Sequence, residues 1–381
     1  MKNQKLLTML LMVCLCGGFT VSGESPKTIP KVILDCDMGM MNDDMLALSM
    51  LLKAEKAGKI ELLGITLEGG NNFISADYEN YGETQRNQKE CAAAFLTRMS
   101  REDIPVFAGT DYPMGYNADN IGELSAFYES LRYLQDSDTY GAVHFFQALS
   151  NGALTDSDDA RDFLISSANR YPGEIVIFAI GPTMNLARAV LRDASFAGNI
   201  AAVYYMGGAF GAPYDALDSR SIPVKAIGGA NITPYAEYNV CYDALSFEIC
   251  ITAGFPVQII SPGEISEGID LETVNRLKSA NICHDPVAEF WLESYQTYIQ
   301  EYPYWDPIAV AAFLRPENMQ SKERYVRVYT DRTDECYAMT VALNKDEYSL
   351  IPTAEKRHFG KTFVISDYTG FWDYAIELLC K

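Results

Sequence analysis

The sequence predicts an α/β domain with a mostly parallel sheet and helices on both faces. Short apolar runs rich in β-branched residues alternate with segments of helical pattern along most of the chain. These apolar runs are unbroken, as expected for strands buried on both faces. No repeat or long Gly/Ser/Pro linker interrupts the alternation. We therefore expect one large domain over residues 24–381.

The predicted elements follow one another in βα order. The segment 31–36 (KVILDC) is an apolar run typical of a buried strand, and the acidic pair at 43–44 favours a helix start. The further predicted strands are 60–66, 104–107, 174–180, 200–206 and 257–260, followed by two antiparallel strands within 325–344. The predicted helices are 43–56, 78–99, 159–170, 182–191 and a last one near 373–379.

The first 23 residues have the pattern of a signal peptide. Two lysines precede an apolar run over 6–16, and small residues stand just before Glu24. We expect cleavage there and export to a periplasm or to the outside of the cell. A retained membrane anchor is disfavoured because the run is short for a bilayer span. A lipoprotein is disfavoured because large residues precede Cys14 and Cys16.

Composition narrows the classes of partner. The chain has 51 acidic and 30 basic residues, a net charge of −21, which argues against nucleic acid or anionic membranes as partners. Its three histidines give poor support for a multi-histidine zinc site, and its cysteines form no metal-binding spacing. The acidity is compatible with cation binding or with plain solubility, and a homo-oligomer stays open.

Four aspartates lie within ten residues at the first strand-to-helix junction. Asp35 and Asp37 end the strand, and Asp43 and Asp44 start the next helix. Like charges this close repel unless a cation or a proton intervenes. Acidic residues do suit a helix N-terminus, but capping does not explain the two aspartates after an apolar strand. The cluster therefore predicts a site for a hard cation.

Seven segments, in this order, resemble the inosine-uridine-preferring nucleoside hydrolase family. They are 35–47 (DCDMGMMNDDMLA), 64–71 (GITLEGGN), 104–114 (IPVFAGTDYPM), 179–189 (AIGPTMNLARA), 204–210 (YYMGGAF), 231–246 (NITPYAEYNVCYDALS) and 305–317 (WDPIAVAAFLRPE). The resemblance implies a Rossmann-like sheet, the nucleoside hydrolase fold. It also implies calcium-dependent hydrolysis of N-glycosidic bonds, with ribonucleosides as the expected substrates.

The resemblance also implies a role for each matching residue. Asp37 is expected to be the general base and a calcium ligand, while Asp35 supports the site from the strand end. The other expected calcium ligands are Asp44, Asp306 and the main-chain carbonyl of Ile180. The expected substrate-binding residues are Asp43, Asn71, Met206, Asn231, Glu237, Asn239 and Trp305.

Several of these residues have plainer interpretations. The two asparagines Asn71 and Asn231 also suit turns, and Met206 also suits a core. Asp306 before a proline is also a typical helix N-cap. Glu237 and Asn239 are two apart, which predicts one shared side of an extended segment.

The chain departs from the family pattern where the leaving group is expected. Trp305 replaces a histidine that activates purines, and tryptophan can stack on a base but cannot act as a general acid. Met41 replaces an acid found in a longer form of the first motif, and 261–266 (SPGEIS) replaces an LDVT-like segment. His284 begins a competing HDP match, for which a structural role is expected.

Three other functions stay open on these residues. A different riboside or glycoside is one possible substrate on the same scaffold, because function depends on the site and not on the fold. A non-catalytic protein that binds a sugar or a nucleoside is the second alternative. The third is an aspartyl-phosphate phosphatase, because a strand ending in DxDxG also resembles the haloacid-dehalogenase opening. The lysine and second acidic pair of that family are not found in order.

Overall fold

One nine-stranded sheet organises the part of the chain that the computed structural model describes. The described residues are 29–38, 43–69, 88–117, 119–120, 123, 155–210, 236–265, 271–280, 286, 289–291, 304–334 and 336–379. The predicted signal peptide, residues 1–23, lies outside them. Among these residues, no helix is both long and apolar enough to span a bilayer.

The strands and helices have the following bounds. The strands are β1 Lys31–Cys36, β2 Glu61–Leu67, β3 Val106–Ala108, β4 Ile175–Ala179, β5 Ile200–Met206, β6 Gln258–Ser261, β7 Met319–Val328, β8 Thr340–Leu343 and β9 Gly360–Tyr368. The helices are α1 Asp43–Lys56, α2 Gln88–Arg98, α3 Asp159–Arg170, α4 Met184–Arg192, α5 Phe196–Asn199, α6 Tyr238–Tyr242, α7 Ala244–Thr252, α8 Leu271–Ala280, α9 Asp306–Leu314, α10 Lys345–Leu350 and α11 Phe371–Leu379. Two short 3-10 turns lie at Pro316–Asn318 and Lys356–His358.

The order of strands across the sheet is β3-β2-β1-β4-β5-β6-β9-β7-β8. All neighbours from β3 to β9 pair in parallel, and β7 pairs antiparallel with both β9 and β8. The run 3-2-1-4-5-6 is the Rossmann order, in which the chain reverses direction across the sheet between β1 and β4. This order confirms the predicted fold class. In such sheets ligands bind in the crevice outside the carboxyl ends of the two strands at the reversal, here β1 and β4.

Helices cover both faces of the sheet, as predicted. Val32 and Leu34 of β1 pack into one buried cluster together with α1, α2, α9 and α11. Ile33 points to the other face, where it packs with α3, α4 and α7. Because successive side chains of a strand alternate between faces, one apolar strand supplies both cores. The helix α1 is buried along most of its length because it lies between the sheet and other helices.

The predicted element bounds hold best up to residue 206. β1, β5, α1 and α3 have the predicted bounds, while β2 lies one residue further along. β3 starts at Val106 and not at 104, because Pro105 has no N–H to pair in a ladder. The predicted helix 78–99 is described only from residue 88, as α2.

The C-terminal part of the sheet differs from the prediction. β7 begins at Met319 and not near 325, and β9 was not predicted. β9 lies between β6 and β7, so its partners are about 40 and 100 residues away along the chain. Its apolar and polar residues alternate only in part, and such a pattern alone is a weak signal for a strand.

The place of β9 depends on the glycine that opens it. A Cβ at Gly360 would overlap the backbone carbonyl of Ile251 in α7. We expect Gly360→Ala to lower the free energy of unfolding by about 1–3 kcal/mol, because α7 and β9 would have to move apart. Urea unfolding measures this change. The control is Gly198→Ala, where a Cβ meets nothing within 4 Å. Equal unfolding midpoints for the two variants would contradict the account.

Candidate active site

The candidate site lies at the carboxyl ends of β1 and β4. Asp37 directly follows β1, and Ile180 directly follows β4. A Cβ at Gly181 would lie 2.7 Å from the backbone nitrogen of Asp37 and 3.0 Å from its Oδ1. Only a glycine therefore lets the turn after β4 approach Asp37 this closely. The two strand ends on either side of the topological switch point meet here.

Three carboxylates from two helix starts converge at this end of the sheet. Asp43 and Asp44 begin α1, Asp306 begins α9, and one oxygen from each lies within 4.8 Å of the others. The Asp43 carboxylate also accepts hydrogen bonds from the backbone N–H groups of Trp305 and Asp306. This side chain therefore ties the N-terminus of α1 to that of α9, where unpaired N–H groups favour negative charge.

Burial and mutual repulsion act on these acids. Burial raises the pKa of Asp37 well above its ordinary value, and the charges of Asp44 and Asp43 raise it further. Burial likewise raises the pKa of Asp306, with the charges of Asp43, Asp44 and Asp37 adding to the effect. The pKa of Asp43 is raised by burial to about 6. The charged neighbours that raise the pKa values of Asp37 and Asp306 are all carboxylates. A bound cation would therefore reduce the electrostatic repulsion among them.

The donor set fits a hard divalent cation. Carboxylate and carbonyl oxygens are the ligands that calcium and magnesium prefer. The Ile180 carbonyl accepts one hydrogen bond, from Asn239 Nδ2 at 2.9 Å, and a carbonyl oxygen has a second lone pair. The carboxylates of Asp43, Asp44 and Asp306 could therefore hold such an ion. Asp37 interacts electrostatically with Asp43 and Asp44, and the Ile180 carbonyl precedes Gly181, which lies against Asp37, so both could add ligands.

The opposite wall of the site is built from the end of β5 and the start of α6. Asn239 Nδ2 also donates to the Met206 carbonyl at 3.2 Å and contacts its sulfur at 3.3 Å. Both amide protons are therefore engaged, and Asn239 Oδ1 is the atom that can accept from a ligand. Met206 is 4 % exposed and packs against the core at the same time.

Glu237 caps α6 and supports the turn after β5. Its Oε1 accepts from Asn239 N at 2.9 Å, and its Oε2 accepts from Gly208 N at 3.0 Å and Val240 N at 3.1 Å. The prediction that Glu237 and Asn239 share one side of an extended segment is wrong, because capping starts a helix at residue 238. Burial raises the pKa of Glu237 to about 7.

Trp305 joins the segment 261–265 to the site. Its indole Nε1 donates to the Gly263 carbonyl at 2.9 Å, and Gly263 N donates to the Gly208 carbonyl at 2.9 Å. Phe210 N donates to the Glu264 carboxylate. The residues that depart from the family pattern, Trp305 and the SPGE segment, therefore touch one another and the turn after β5.

The structure places most, but not all, of the predicted site residues. Asp306 is the first residue of α9 and not its N-cap, a position that Trp305 holds. Asp43, expected at the sugar, lies in the carboxylate trio. Asp44 lies in this trio as predicted, with Asp37 close enough for their charges to interact. The residues Asn71, Asn231, Met41 and His284 lie outside the described residues.

Sequence reasoning overlooked three polar residues next to Asp35. Thr66 Oγ1 donates to Asp35 Oδ1 at 2.5 Å, and Asn185 Nδ2 donates to the same oxygen at 2.9 Å. Glu68 accepts from the backbone N–H of Asn185 at 2.8 Å. A signal was present, because Glu68 follows an apolar strand as Asp37 does. A polar residue at that position predicts a place at the same edge of the sheet.

The fold and the site together define an α/β protein with a buried carboxylate centre suited to a hard cation. The sequence model described as inosine-uridine preferring nucleoside hydrolase matches residues 32–373, so the chain belongs to that family. The resemblance noted in the sequence is confirmed, and the protein is an N-glycosyl hydrolase. Enzymes of this family are metal-dependent and act on small-molecule nucleosides.

Relatives of known sequence carry consistent names. The chain is 26% identical to "Uridine nucleosidase 1" of Arabidopsis thaliana, covering 83% of each chain. It is 25% identical to "Pyrimidine-specific ribonucleoside hydrolase RihB" of Escherichia coli O157:H7, covering 91% of this chain and 96% of the relative.

Solved structures share the fold. A structure titled "Plant nucleoside hydrolase - PpNRh1 enzyme" matches with a TM-score of 0.60 and 23% identity, covering 92% of this chain and 98% of the other. A "Purine-Preferring Ribonucleoside Hydrolase from Gardnerella vaginalis" matches with a TM-score of 0.61 and 18% identity, covering 92% and 98%. At these identities the structures support the fold, while the site rests on the residues above.

The raised pKa values predict a stability that depends on pH and on the cation. In the unfolded chain Asp37, Asp43 and Asp306 ionise at their ordinary, lower pKa values. As pH rises past those values, the unfolded state loses protons before the folded metal-free state does, so the metal-free protein loses stability. A cation binds the deprotonated carboxylates. The gap in melting temperature with and without calcium should therefore widen from about pH 5 to about pH 7.5.

Scanning calorimetry across this pH range measures the gap. Asp306→Asn should narrow the gap, because one of the repelling carboxylates is gone. The control Asp103→Asn changes an exposed carboxylate and should leave it unaltered. A gap that is constant with pH would contradict this account of the site.

Proposed function

We propose that the protein is a calcium-dependent hydrolase of the N-glycosidic bond of ribonucleosides. The observation that carries the proposal is the trio of half-buried Asp43 and buried Asp44 and Asp306, beside Asp37 at the switch point of the sheet. Calcium suits this site because it accepts many oxygen ligands in flexible geometry. When bound, the ion would lower the pKa of a water molecule and hold it in place.

Asp37 is the general base of the proposed reaction. Asp37 is 3 % exposed, and its charge interacts with those of Asp44 and Asp43 at the proposed cation site. A carboxylate in this place can take a proton from a water molecule held there. The oxygen of water forms a bond to the anomeric carbon while one of its protons passes to Asp37. The bond from that carbon to nitrogen breaks, and the electron pair leaves with the base. The products are free ribose and the nucleobase, which takes up a proton.

The residues of the opposite wall would bind the sugar. Asn239 is held by its amide protons, so that Oδ1 can accept from a sugar hydroxyl. Glu237 has about four acceptor sites and uses three of them on backbone N–H groups, which leaves capacity on Oε1. Both groups are fixed before a ligand arrives, so binding would cost little reorganisation.

On the Trp305 side of the site, the leaving group would contact an aromatic ring that has no proton free to donate. Trp305 commits its only polar hydrogen to the Gly263 carbonyl. Its ring can stack on a base, which favours substrates with a planar aromatic leaving group. The proton for that group would come from water or from another residue.

The names of the relatives point to uridine and other pyrimidine nucleosides as the first substrates to test. A second candidate is a different riboside on the same scaffold. The contact between Trp305 and the segment 261–265 favours this candidate, because both depart from the family pattern. Measuring released reducing sugar over a panel of nucleosides and other ribosides separates the two candidates.

We also propose that the protein is exported. The support is the pattern of residues 1–23, with two lysines followed by an apolar run. The mature chain would begin at Glu24, and removal of the lysines would shift the net charge from −21 to −21 − 2 = −23.

The proposed role of Asp37 predicts a large loss of turnover on an isosteric change. Asp37→Asn should lower kcat by about 10²–10⁴-fold, because the amide cannot take the proton from water. Chelation by EGTA should abolish turnover by the unaltered enzyme, and calcium should restore it. The control Asp103→Asn removes an exposed carboxylate and should retain full turnover. Full turnover by Asp37→Asn, or turnover indifferent to EGTA, would contradict the proposal.

Trp305 is expected to act through its ring. Stacking on a base is worth about 1–3 kcal/mol, so Trp305→Ala should raise KM about 5- to 150-fold with a smaller change in kcat. Trp305→Phe keeps an aromatic face but loses the hydrogen bond to Gly263, and should retain a KM near that of the unaltered enzyme. Steady-state kinetics on uridine measures both. Equal losses in the two variants would show that the hydrogen bond matters and the ring does not.

A further inference from the structure

A second polar cluster lies next to the carboxylate trio and has no part in the reaction described above. It consists of Asp35 at the end of β1, Glu68 just after β2, and Asn185 in the first turn of α4. Each of the three side chains is at most 1 % exposed. Burying a carboxyl group without a hydrogen-bond partner costs free energy, so the partners of Asp35 and Glu68 matter for the stability of this cluster.

Hydrogen bonds join the three residues into one unit. Asn185 donates through Nδ2 to Asp35 Oδ1 at 2.9 Å and to the Leu67 carbonyl at 3.1 Å. The backbone N–H of Asn185 donates to Glu68 Oε2 at 2.8 Å. Gly109 makes room for this side chain, because a Cβ there would overlap Asn185 Oδ1 and the Leu67 carbonyl.

One oxygen of each acid remains to be accounted for. Asp35 Oδ2 and Glu68 Oε1 are buried and have no hydrogen-bond partner among the described residues. The side chains of Asp35 and Glu68 are close enough to interact directly. A side chain at position 68 that carries one donor and one acceptor can therefore satisfy both Asp35 and the backbone N–H of Asn185. Glu68 thus connects the backbone at the start of α4 to the side chain at the end of β1.

The same backbone carries the site. Ile180 N donates to the Asp35 carbonyl at 2.9 Å, and Glu68 N donates to the Cys36 carbonyl at 3.0 Å. Gly181 lies against Asp37, as described above. Glu68 therefore spans the turn between β4 and α4 on one side and the strand that leads to Asp37 on the other. A shift in either would move the Ile180 carbonyl relative to the Asp37 carboxylate.

We propose that Glu68 is a positioning residue of the cation site. By bridging Asn185 and Asp35, it fixes the turn after β4 relative to the end of β1. It thereby sets the geometry of the Ile180 carbonyl and of Asp37. Glu68 does not need its charge for this role, because one donor and one acceptor suffice. The inference rests on the proposed cation site.

Two substitutions at Glu68 separate geometry from charge. In Glu68→Gln the amide oxygen accepts from Asn185 N and the amide nitrogen donates to Asp35, so the bridge is retained. Its calcium Kd should stay within about three-fold of the unaltered protein. In Glu68→Ala the bridge is lost, and the calcium Kd should rise about 10- to 100-fold. The matched control is Glu61→Ala, which changes an exposed glutamate at the start of β2, the strand that Glu68 follows.

Isothermal calorimetry with calcium chloride on the full-length protein measures the Kd, at a temperature where each variant is folded by circular dichroism. Turnover of Glu68→Ala should recover at saturating calcium, because the reacting groups are intact. A purely structural role would lower the melting temperature and leave the Kd unchanged, which would overturn the inference. An equal rise in Kd for Glu68→Gln and Glu68→Ala would also overturn it, since charge would then be what matters.

If Glu68→Ala does not fold, Glu68→Leu takes its place, because leucine fills the buried space but cannot bridge Asn185 and Asp35. A calcium Kd raised ten-fold or more in Glu68→Leu, with Glu68→Gln within three-fold of the unaltered protein, supports the inference, and a smaller rise in Glu68→Leu contradicts it. Absence of calcium binding by the unaltered protein would instead refute the proposed function. The failure of one proposal is therefore distinguishable from the failure of the other.

Discussion

The concentration of buried negative charge at one end of the sheet is the constraint on which the rest of the structure depends. Asp37, Asp44 and Asp306 are each less than 5 % exposed, and their charges repel one another. Burial and repulsion both oppose ionisation, so the site is costly until a cation or protons balance it. Two helix N-termini and a close glycine turn hold the acids together despite this cost. Buried, mutually repelling charges of this kind are characteristic of functional sites and do not add to stability.

The strand order explains why the acids meet. β1 and β4 are neighbours although about 140 residues separate them in the chain, and their carboxyl ends lie side by side. The chain departs in opposite directions from these strands, which opens a crevice between the following loops. Asp306 reaches the crevice because α9 packs on α1, and the hydrogen bonds of Asp43 join the two helix starts. The site is thus a product of the sheet order and of one helix-to-helix contact.

The half of the site expected to face the leaving group differs in its chemistry from the half that holds the acids. Trp305, the segment 261–265 and the turn after β5 are tied by hydrogen bonds into one wall. The indole N–H is committed within this wall, so the wall offers shape and an aromatic face more than proton transfer. These residues also depart from the family pattern, so substrate preference is the property of this protein least constrained by its family. The acid half, in contrast, keeps the family's aspartates at positions 35, 37, 43, 44 and 306, with Met41 as its one departure noted in the sequence.

The sequence by itself determined the class of fold and the kind of chemistry. Unbroken apolar runs such as 31–36 identify buried parallel strands, and clustered aspartates predict a cation site. These are local patterns, and local propensity and charge suffice to recognise them. Roles that depend on a neighbouring group were harder to predict from the sequence, as the helix cap formed by Glu237 shows.

Only the tertiary structure decided which acids face one another. It placed Asp43 in the carboxylate trio and brought Glu68 next to Asp35. It also inserted β9 between β6 and β7. The physical reason is the same in each case: these contacts join residues tens to hundreds of positions apart. Long-range packing and burial fix them, and neither leaves a periodic or compositional trace in the sequence.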